Sequence, residues 1–424
     1  MPSRVYRVAL LDEHFRPKHY DRLSSVPGIE LQPVLPSADL GLLNCDIALL
    51  GDEFNPAAFP AITELHARGI PVLHLVDGIV EWRNIWTNPR SNTPDGRPLF
   101  QPVLSARIAC LGLWQALLLE SFGNHPFRCE VTGSPRLDYL ESIKREPNNT
   151  VLIATANTPG FTAKEIEQAA AAMQAAEAGM RKFPRLTPHW RLSPSLLPHV
   201  SFDGNPGAST QVPLERILAT AAAVITTPST LALEAMRLRI PTLIVDFTNS
   251  PAYLLSAWRA TCPDTLGREL ESLLKPDDPE HLRRLLHQDF LSRLQLEPGS
   301  ATERVGRLIK LMADNPAASL NPTGLLLPRR SAYPEGTTEF NLTSLYPMIP
   351  DLATSDTTVL QARLLHQRDC LRELEGYRRR RLVRFSDWVR RIIPFRRGKS
   401  SGIDRAVQPM NASDHTPANP DRSS

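Results

Sequence analysis

The sequence predicts an α/β protein of two domains, each with a parallel sheet between layers of helices. Short β-rich runs alternate with helical patterns over residues 1–315, which is typical of βαβ units. The length of 424 residues favours about two domains, at ~100–200 residues each. The polar stretch REPNNT at 145–150 interrupts the alternation, and a new strand begins directly after it. We therefore place a domain boundary there.

The first domain, residues 1–145, is predicted to contain six strands and two helices. One helix begins near Pro56 and ends at Gly69, since proline favours the first turn of a helix and glycine follows the last. The second runs from Leu113 to Gly123. The strands are runs rich in apolar and β-branched residues, at 5–11, 29–34, 46–51, 71–76, 106–112 and 128–133.

The second domain, residues 146–315, repeats this pattern. Its strands are predicted at 151–156, 189–192, 224–226 and 241–247. Its helices are predicted at 162–180, 229–238, 267–274, 279–296 and 300–314, with one more directly before 224–226. Three segments follow: an irregular extension that can pack back on the body, a helix with a basic amphipathic end, and a disordered polar tail, at 316–358, 359–397 and 398–424.

Composition excludes several classes of protein. With 42% hydrophobic and 22% charged residues the chain can bury a core, so it is not disordered throughout. No apolar run reaches the ~18–20 residues of a membrane-spanning helix, and the start is too poor in apolar residues for a secretory signal. A cytoplasmic location is therefore expected. The five cysteines are scattered and never form a CxxC pair, which predicts reduced thiols.

The sequence lacks the common metal and nucleotide motifs. It has no GxGxxG, no P-loop, no HExxH and no DxD, and its 11 histidines lack the spacing of metal ligands. We therefore expect no metal and no bound cofactor, and a metal-independent mechanism if the chain is an enzyme.

The segment TTPSTLALEAM, residues 226–236, is the most informative. A strand ends there, a turn presents Ser229 and Thr230, and a helix begins. Backbone N–H groups at a helix N-terminus bind anions such as phosphate. Glu234 lies between one and two turns into that helix, and its carboxylate can accept two hydrogen bonds from a sugar diol. The alternative is that Ser229 only caps the helix and that Glu234 is solvated.

A second candidate segment is TGSPRLD, residues 132–138, at the end of a strand and close to the domain boundary. Gly133 permits close approach of the backbone, and Arg136 can direct its guanidinium at a phosphate across a cleft. The alternative is a simple turn in which Arg136 pairs with Asp138.

A third candidate segment is HLVDGIVEWRNIW, residues 74–86. Ligands of open parallel sheets bind beyond the carboxyl ends of the strands, so Asp77 lies where a general base is needed, with Glu81 as the second candidate. The alternatives are that Asp77 only forms a turn with the next glycine and that Trp82 and Trp86 are core residues. The arginines that follow can meet an anionic acceptor or belong to a solvated loop. They are Arg83, Arg90 and Arg97.

Taken in order, these segments resemble glycosyltransferases of the GT-B architecture. More narrowly, they resemble bacterial surface- and capsular-polysaccharide proteins related to polyol-phosphate transferases and sugar-nucleotide 2-epimerases. The resemblance covers about residues 70–314 and is carried by DGIVEW, CLGLWQALLLESFGN, VTGSPRLD, WRLSP, TTPSTLALEAM and EPGSATERVGRLI. It implies two Rossmann-like domains that face each other across a cleft, to which this chain adds a basic helical C-terminal extension.

In such proteins the C-terminal domain binds a nucleotide-diphosphate donor, here a nucleotide-sugar or a nucleotide-polyol. The resemblance implies that Ser229 and Thr230 hold phosphate and that Glu234 holds a pair of donor hydroxyls. The other implied donor-side residues are Gly133, Ser134, Arg136, Arg191 and Ser193.

The chain departs from these relatives at two positions. Relatives often have Arg-x-His-Pro where this chain has Arg191-Leu192-Ser193-Pro194, so a serine hydroxyl replaces an imidazole. Polyol-phosphate transferases have a His-Gly pair where this chain has Asp77-Gly78. Either Asp77 is the base of a sugar transfer, or a catalytic group has been lost.

The C-terminal segment RRRRLVRFSDWVRRIIPFRR, residues 378–397, is basic and amphipathic. Residues 376–424 contain 12 Lys/Arg against 4 Asp/Glu, which favours binding to an anionic membrane surface. Docking on the body of the protein, nucleic-acid binding or a solvated end are the alternatives. The residues expected at the membrane are Arg384, Phe385, Trp388, Arg391 and Ile392.

The function expected from the sequence is transfer of a sugar or polyol phosphate from a nucleotide donor to a glycan or lipid-linked acceptor in surface-polysaccharide synthesis. The protein would be peripheral on the inner face of the plasma membrane and would not bind nucleic acid. An epimerase acting on a sugar nucleotide, and a non-catalytic membrane-tethered scaffold that binds one, are the alternatives.

Overall fold

The computed structural model of the protein describes residues 4–12, 20–38, 40–54, 56–88, 99–202 and 212–329. All of these belong to one compact unit, Met1–Phe340. A second unit, Asn341–Ser424, lies outside the described residues. The predicted basic helix at 359–397, with its five membrane-surface residues, and the predicted tail at 398–424 therefore stay predictions.

The first half of the unit is built on a six-stranded parallel sheet. Its strand order is β2-β1-β3-β4-β5-β6. The six strands are β1 Tyr6–Leu11, β2 Ile29–Val34, β3 Ile47–Leu50, β4 Val72–Leu75, β5 Arg107–Cys110 and β6 Cys129–Val131. Within the described part of this half, the helices are α1 Ala58–Ala67, α2 Trp82–Trp86 and α3 Leu113–Ser121, and 3-10 turns lie at Asp21–Ser25, Leu40–Leu42, Pro126–Arg128 and Pro135–Ser142.

The second half is built on a five-stranded parallel sheet of order β11-β10-β9-β7-β8. The strands are β7 Thr150–Ala154, β8 Thr187–Arg191, β9 Ala221–Thr226, β10 Thr242–Val245 and β11 Trp258–Ala260. The helices are α4 Ala163–Met180, α5 Leu214–Thr220, α6 Thr230–Arg237, α7 Pro263–Leu274, α8 Pro279–Gln295, α9 Ala301–Asp314 and α10 Pro316–Leu320, with a 3-10 turn at Leu197–His199. The predicted α/β class with two parallel sheets is confirmed.

The inner strands of both sheets are buried on both faces, which explains why they are apolar runs rather than alternating patterns, whereas the edge strands β2 and β8 are largely exposed. In the first sheet, Ala48 and Leu50 of β3 pack towards α1, and Leu49 of the same strand packs towards α9. In the second sheet, Ile153 of β7 packs towards α4, and Leu152 packs towards α6. Each sheet is therefore a middle layer between helices.

Helix α9 returns to the first sheet. The predicted boundary at 315 assigns this helix to the second domain, but its apolar face packs on β1, β3 and β4 through Val305, Leu308, Ile309 and Met312. Gly133, with φ +78°, makes room for this crossing, because a Cβ there would lie 2.9 Å from the Cβ of Ala301. The chain after α8 thus belongs to the packing of the first half.

The segment after α9 is tied down by a buried ion pair. Arg107 of β5 and Glu130 of β6 are 2.9 Å apart and almost fully buried. The carboxylate of Glu130 accepts hydrogen bonds from the backbone N–H groups of Leu326 and Leu327, at 2.8 and 3.0 Å. Arg107 donates to the carbonyls of Ala318 and Gly324. The described part of the expected irregular extension therefore packs back on the first sheet.

Three further expectations from the sequence concern membrane-spanning helices, metal-binding side chains and the cysteines. Among the described residues, no helix is long and apolar enough to cross a membrane. Within the same ranges, no group of three or more His, Cys, Asp or Glu side chains is placed to hold a metal ion. Cys45, Cys110, Cys129 and Cys262 are free thiols, and Cys370 lies outside the described residues.

Candidate functional site

A cleft of about 1470 Å³ lies between the carboxyl ends of the two sheets. From the first half it is lined by the segments that follow β3 and β4 and by α2. From the second half it is lined by the end of β8, by the segments that follow β7 and β9, and by α6. In open parallel sheets this edge is where ligands bind, and the volume is enough for a nucleotide with an attached group.

The second-half wall of the cleft lies at the point where the strand order reverses, between β7 and β9. Here the loops after the two strands are held together, since Thr227 Oγ1 accepts a hydrogen bond from the N–H of Ala156 at 2.8 Å. The N–H of Thr227 donates to the carbonyl of Ala154 at 3.3 Å. A rigid pair of loops at such a switch point is the usual place for a nucleotide in this class of fold.

Helix α6 begins at the cleft. Ser229 holds its N-cap position in an extended conformation, and the Ser229 hydroxyl lies 3.2 Å from Thr226 Oγ1. Ser229, Thr230 and Leu231 line the cleft, so the first turn of α6 directs its N-terminus into it. A helix N-terminus carries a partial positive charge and donor N–H groups, which suits a phosphate.

Glu234 lies on the cleft side of α6 and is 6% exposed, so the alternative of a solvated helix residue is wrong. Its Oε2 accepts a hydrogen bond from the hydroxyl of Tyr139 at 2.8 Å. Burial raises the pKa of the Glu234 carboxyl, although the Tyr139 hydroxyl and the nearby guanidinium of Arg136 act in the opposite direction. A desolvated carboxylate of this kind gains most from hydroxyl donors that a ligand brings.

Arg136 reaches across to the loop that follows β4. Its Nε donates to the backbone carbonyl of Asp77 at 2.6 Å, and its side chain lines the cleft. The alternative pairing of Arg136 with Asp138 is wrong, since the carboxylate of Asp138 accepts the N–H groups of Ala301 and Thr302 at 2.9 and 2.8 Å. Asp138 therefore caps α9, and Arg136 faces the cleft.

The loop with Asp77 packs directly on the first turn of α6. The N–H of Ile79 donates to Thr230 Oγ1 at 3.3 Å. A Cβ on Gly78 would lie only 2.7 Å from that same oxygen, so this approach requires glycine. Asp77 itself is half-buried and lines the cleft. A candidate base and a candidate phosphate site thus lie side by side, one from each half.

Glu81 also lines the cleft, but its carboxylate is engaged. It is the N-cap of α2, accepting the N–H of Asn84 at 3.3 Å, and it accepts Nε of Arg83 at 2.7 Å. Burial raises the pKa of the Glu81 carboxyl, and Arg83 opposes this effect. Arg83 is 3% exposed and also donates to the carbonyl of Pro159 at 2.7 Å, which links the two halves and is not a solvated position.

The structure separates the remaining predicted donor-side residues into two groups. Arg191, at the end of β8, lines the cleft and donates to the carbonyl of Val212 at 3.2 Å. Gly133 and Ser134 are buried beside α9 and do not line the cleft.

Ser193 is buried below the cleft wall rather than on it. Its hydroxyl donates to the carbonyl of Asn157 at 2.6 Å, and its N–H donates to Thr155 Oγ1 at 2.8 Å. Both partners line the cleft. Ser193 therefore holds the loop after β7 in position, and its hydroxyl proton is engaged by the carbonyl of Asn157 rather than directed into the cleft.

Several cleft residues were missed by the sequence analysis. Asp52 and Phe54 follow β3 directly, just as Asp77 follows β4, and Asn84 and Asn88 lie on the cleft side of the α2 segment. Asp52 could have been predicted as a cleft residue, because it follows a predicted strand. Asn84 and Asn88 could not, because helix α2 was not predicted. Arg90 and Arg97 lie outside the described residues.

Comparison with known proteins identifies the fold. No protein-family model and no curated protein sequence matches the chain. Among solved structures, a putative UDP-N-acetylglucosamine 2-epimerase from Listeria monocytogenes matches with a TM-score of 0.51 and 14% identity, over 74% of this chain and 98% of that one.

Two other solved structures match more weakly. The UDP-bound MnaA of S. aureus matches with a TM-score of 0.49 and 14% identity, over 73% of this chain and 97% of that one. The wall teichoic acid polymerase TagF matches with a TM-score of 0.47 and 11% identity, over 73% of this chain and 89% of that one. At these identities the likeness to the Listeria protein concerns the fold alone. The chain therefore has the GT-B-like fold of two facing parallel sheets that its sequence predicts.

Proposed function

We propose that the protein is a glycosyltransferase or polyol-phosphate transferase that takes its group from a nucleotide-diphosphate donor. The observation that carries this proposal is the contact between the Asp77 loop and the first turn of α6, through Ile79 and Thr230. It puts a carboxylate that can accept a proton beside an N-terminus that can hold the departing phosphate. Transfer to a hydroxyl needs both groups at one reacting centre.

The donor side of this mechanism is assigned to the second half. The first turn of α6, with the hydroxyls of Ser229 and Thr230, and the guanidinium groups of Arg136 and Arg191 would balance the charge of the leaving phosphate. Glu234 would accept hydrogen bonds from a pair of donor hydroxyls, with Oε2 held in place by Tyr139. The acceptor would enter from the first half, where Asp77 would remove its hydroxyl proton.

The acceptor we propose is a glycan or a lipid-linked glycan of surface-polysaccharide synthesis, used at the inner face of the plasma membrane. The basic composition of residues 376–424 supports attraction to an anionic membrane. The asparagines of the α2 segment and the ring of Phe54 on the first-half wall support a hydroxyl-rich acceptor, since amides bind hydroxyls and apolar rings pack on sugar faces.

The test is donor turnover with and without an acceptor source. The full-length protein is incubated with nucleotide-activated sugars and polyols, with or without bacterial membrane extract, and the nucleotides are separated by ion exchange. We expect release of a nucleoside mono- or diphosphate from one donor only when extract is present. A donor that is bound but never consumed under any condition would favour the non-catalytic scaffold instead.

A second candidate function is epimerisation of a sugar nucleotide. The Listeria structure with the same fold is a putative UDP-N-acetylglucosamine 2-epimerase, and the cleft contains more than one carboxylate that could move a proton. The same assay distinguishes the two, because an epimerase converts the donor sugar without any extract and leaves the nucleotide attached.

A further inference from the structure

The carboxylate of Glu234 on α6 is held by a tyrosine from the other half of the molecule. Glu234 lines the cleft and is almost fully buried. Within the described residues, its hydrogen-bond donor is Tyr139, whose hydroxyl lies 2.8 Å from Oε2. Tyr139 belongs to the 3-10 turn Pro135–Ser142, which follows the last strand of the first sheet. A side chain of the donor wall is therefore held by a residue of the first half.

The 3-10 turn directs two side chains towards the same wall. Arg136 and Tyr139 are three residues apart, and side chains at this spacing share one face of a 3-10 helix. Arg136 lines the cleft, and the ring of Tyr139 packs on the apolar cluster that contains Leu140 and Leu233. Because this packing anchors the ring, Tyr139→Phe is expected to remove the hydroxyl and leave the ring in place.

The charge of Glu234 is a balance between burial and its neighbours. Burial favours the neutral acid and raises the pKa of the Glu234 carboxyl. The Tyr139 hydroxyl, which binds the ionised form, and the guanidinium groups of Arg136 and Arg191 lower this pKa. The exposed carboxylate of Glu215 on α5 raises it. Since Tyr139 is the neighbour in hydrogen-bond contact, its hydroxyl should be the strongest of the groups that keep Glu234 ionised.

Binding of donor hydroxyls needs the ionised form of this carboxylate. An ionised carboxylate accepts hydrogen bonds on both oxygens, whereas a protonated one carries a hydrogen that competes for the same space. In the proposed function Glu234 accepts hydrogen bonds from a pair of donor hydroxyls. The affinity for the donor should therefore fall as the pH falls through the pKa of Glu234. A group that lowers this pKa extends binding to lower pH.

We propose that Tyr139 is a positioning residue that keeps Glu234 ionised and so sets the lowest pH at which the nucleotide donor binds. The inference deepens the proposed function, because it gives a residue of the first half control over donor binding and makes that binding pH-dependent. It rests on the proposed function where it takes Glu234 to bind donor hydroxyls. The effect of Tyr139 on Glu234 itself is measurable without any ligand.

The first experiment follows the ionisation of Glu234 in the free, full-length protein. The glutamate carboxyl carbons are labelled with carbon-13 and titrated by NMR, and the signal that is missing in Glu234→Gln identifies Glu234. We expect Glu234 to titrate above the ordinary range of glutamates in the wild type. In Tyr139→Phe we expect it to titrate about one pH unit higher still, as the loss of one hydrogen bond to a charged group requires.

The matched control is Tyr6→Phe. Tyr6 is the first residue of β1, at the end of the sheet opposite the cleft, and its hydroxyl also donates to a carboxylate, that of Asp314, at 3.1 Å. This control should leave the titration of Glu234 as it is in the wild type. A titration of Glu234 that is unchanged in Tyr139→Phe would overturn the proposal.

The second experiment connects this titration to the donor. Binding of ADP, CDP, GDP and UDP is measured by calorimetry as a function of pH on the wild type, Tyr139→Phe and Tyr6→Phe. The titration of the nucleotide phosphate is common to all three proteins, so a difference between them belongs to the protein. For a nucleotide that binds, we expect affinity to be lost on acidification about one pH unit earlier in Tyr139→Phe than in the other two.

The outcomes separate this inference from the proposed function. Weaker binding of the nucleotide to Tyr139→Phe by the same factor at every pH would mean that Tyr139 only shapes the site, which would overturn the proposal. If no nucleotide binds any of the three proteins while the titration of Glu234 still shifts in Tyr139→Phe, the proposed donor site is wrong, and the control of Glu234 by Tyr139 is upheld.

Discussion

Replacing Asp77 by asparagine is expected to reduce turnover by a factor of about 10² or more, because general-base catalysis typically contributes 10²–10⁴-fold. The shape of the loop should survive the change. Arg136 holds the backbone carbonyl of Asp77, which an asparagine retains, and the N–H of Ile79 binds Thr230. The affinity for the donor nucleotide should therefore stay within about twofold of wild type.

The matched control for this prediction is Asp52→Asn. Asp52 is the other aspartate on the first-half wall, it follows β3, and its Oδ1 accepts the N–H of Phe54 at 3.1 Å, which an asparagine oxygen can also do. Steady-state kinetics of both variants and donor binding by calorimetry make the comparison. Wild-type turnover in Asp77→Asn would remove that residue from the mechanism, and a loss confined to Asp52→Asn would move the base to the end of β3.

Replacing Glu130 by alanine is expected to cost about 3–5 kcal/mol of unfolding free energy. The change leaves the buried guanidinium of Arg107 without its carboxylate partner and removes the acceptor for the N–H groups of Leu326 and Leu327. The unpaired buried cation and the two lost backbone hydrogen bonds both lower the free energy of unfolding. The segment after α10 should become sensitive to protease in this variant.

Denaturant unfolding of Glu130→Ala and of Glu141→Ala tests this assignment. Glu141 is 54% exposed and pairs with Arg237 on the surface, where an ion pair contributes only about 0–1 kcal/mol. A Glu130→Ala protein that unfolds at the same denaturant concentration as Glu141→Ala would show that the buried pair does not hold the segment. Limited proteolysis gives the second readout, since cleavage near residue 325 should accelerate in Glu130→Ala alone.

Most of the fold could be predicted because the inner strands of the two sheets, which are buried on both faces, are apolar runs. The exceptions have physical causes. Strand β11, with the sequence WRA, is too short to show a pattern, although Trp258 is fully buried. Strand β9 begins with three alanines that favour a helix by themselves, and its pairing with β7 overrides that preference.

The sequence could not predict which of the two sheets helix α9 packs on. Its apolar face is evident in the sequence, but an apolar face does not say which of two sheets it will cover. The choice depends on the tertiary contacts of Gly133 and on the cap from Asp138, both in the loop after β6. For the same reason Gly133 was expected at the donor and lies against a helix instead.

For the cleft residues, too, the sequence could predict some features and not others. Asp77, Ser229 and Thr230 line the cleft, and the sequence could single them out because each follows the end of a parallel strand, where such ends converge on one edge of the sheet. Arg191, which only the resemblance implied, lines the cleft as well. Ser193 follows β8 in the same way, yet its hydroxyl turns inward to Asn157. A sequence indicates which residues reach this edge, but the direction of each side chain depends on the loop that neighbours it.

The most direct measurement for the central claim, a nucleotide-diphosphate site at α6, is a thermal-shift panel of nucleoside diphosphates on the wild type and on Glu234→Ala. A ligand that binds only the folded state raises Tm by mass action, so no acceptor is needed. We expect one nucleotide to raise Tm of the wild type and of the surface control Glu141→Ala, with most of the shift lost in Glu234→Ala. No shift with any nucleotide, or an equal shift in Glu234→Ala, would contradict the assignment of this cleft to a nucleotide donor.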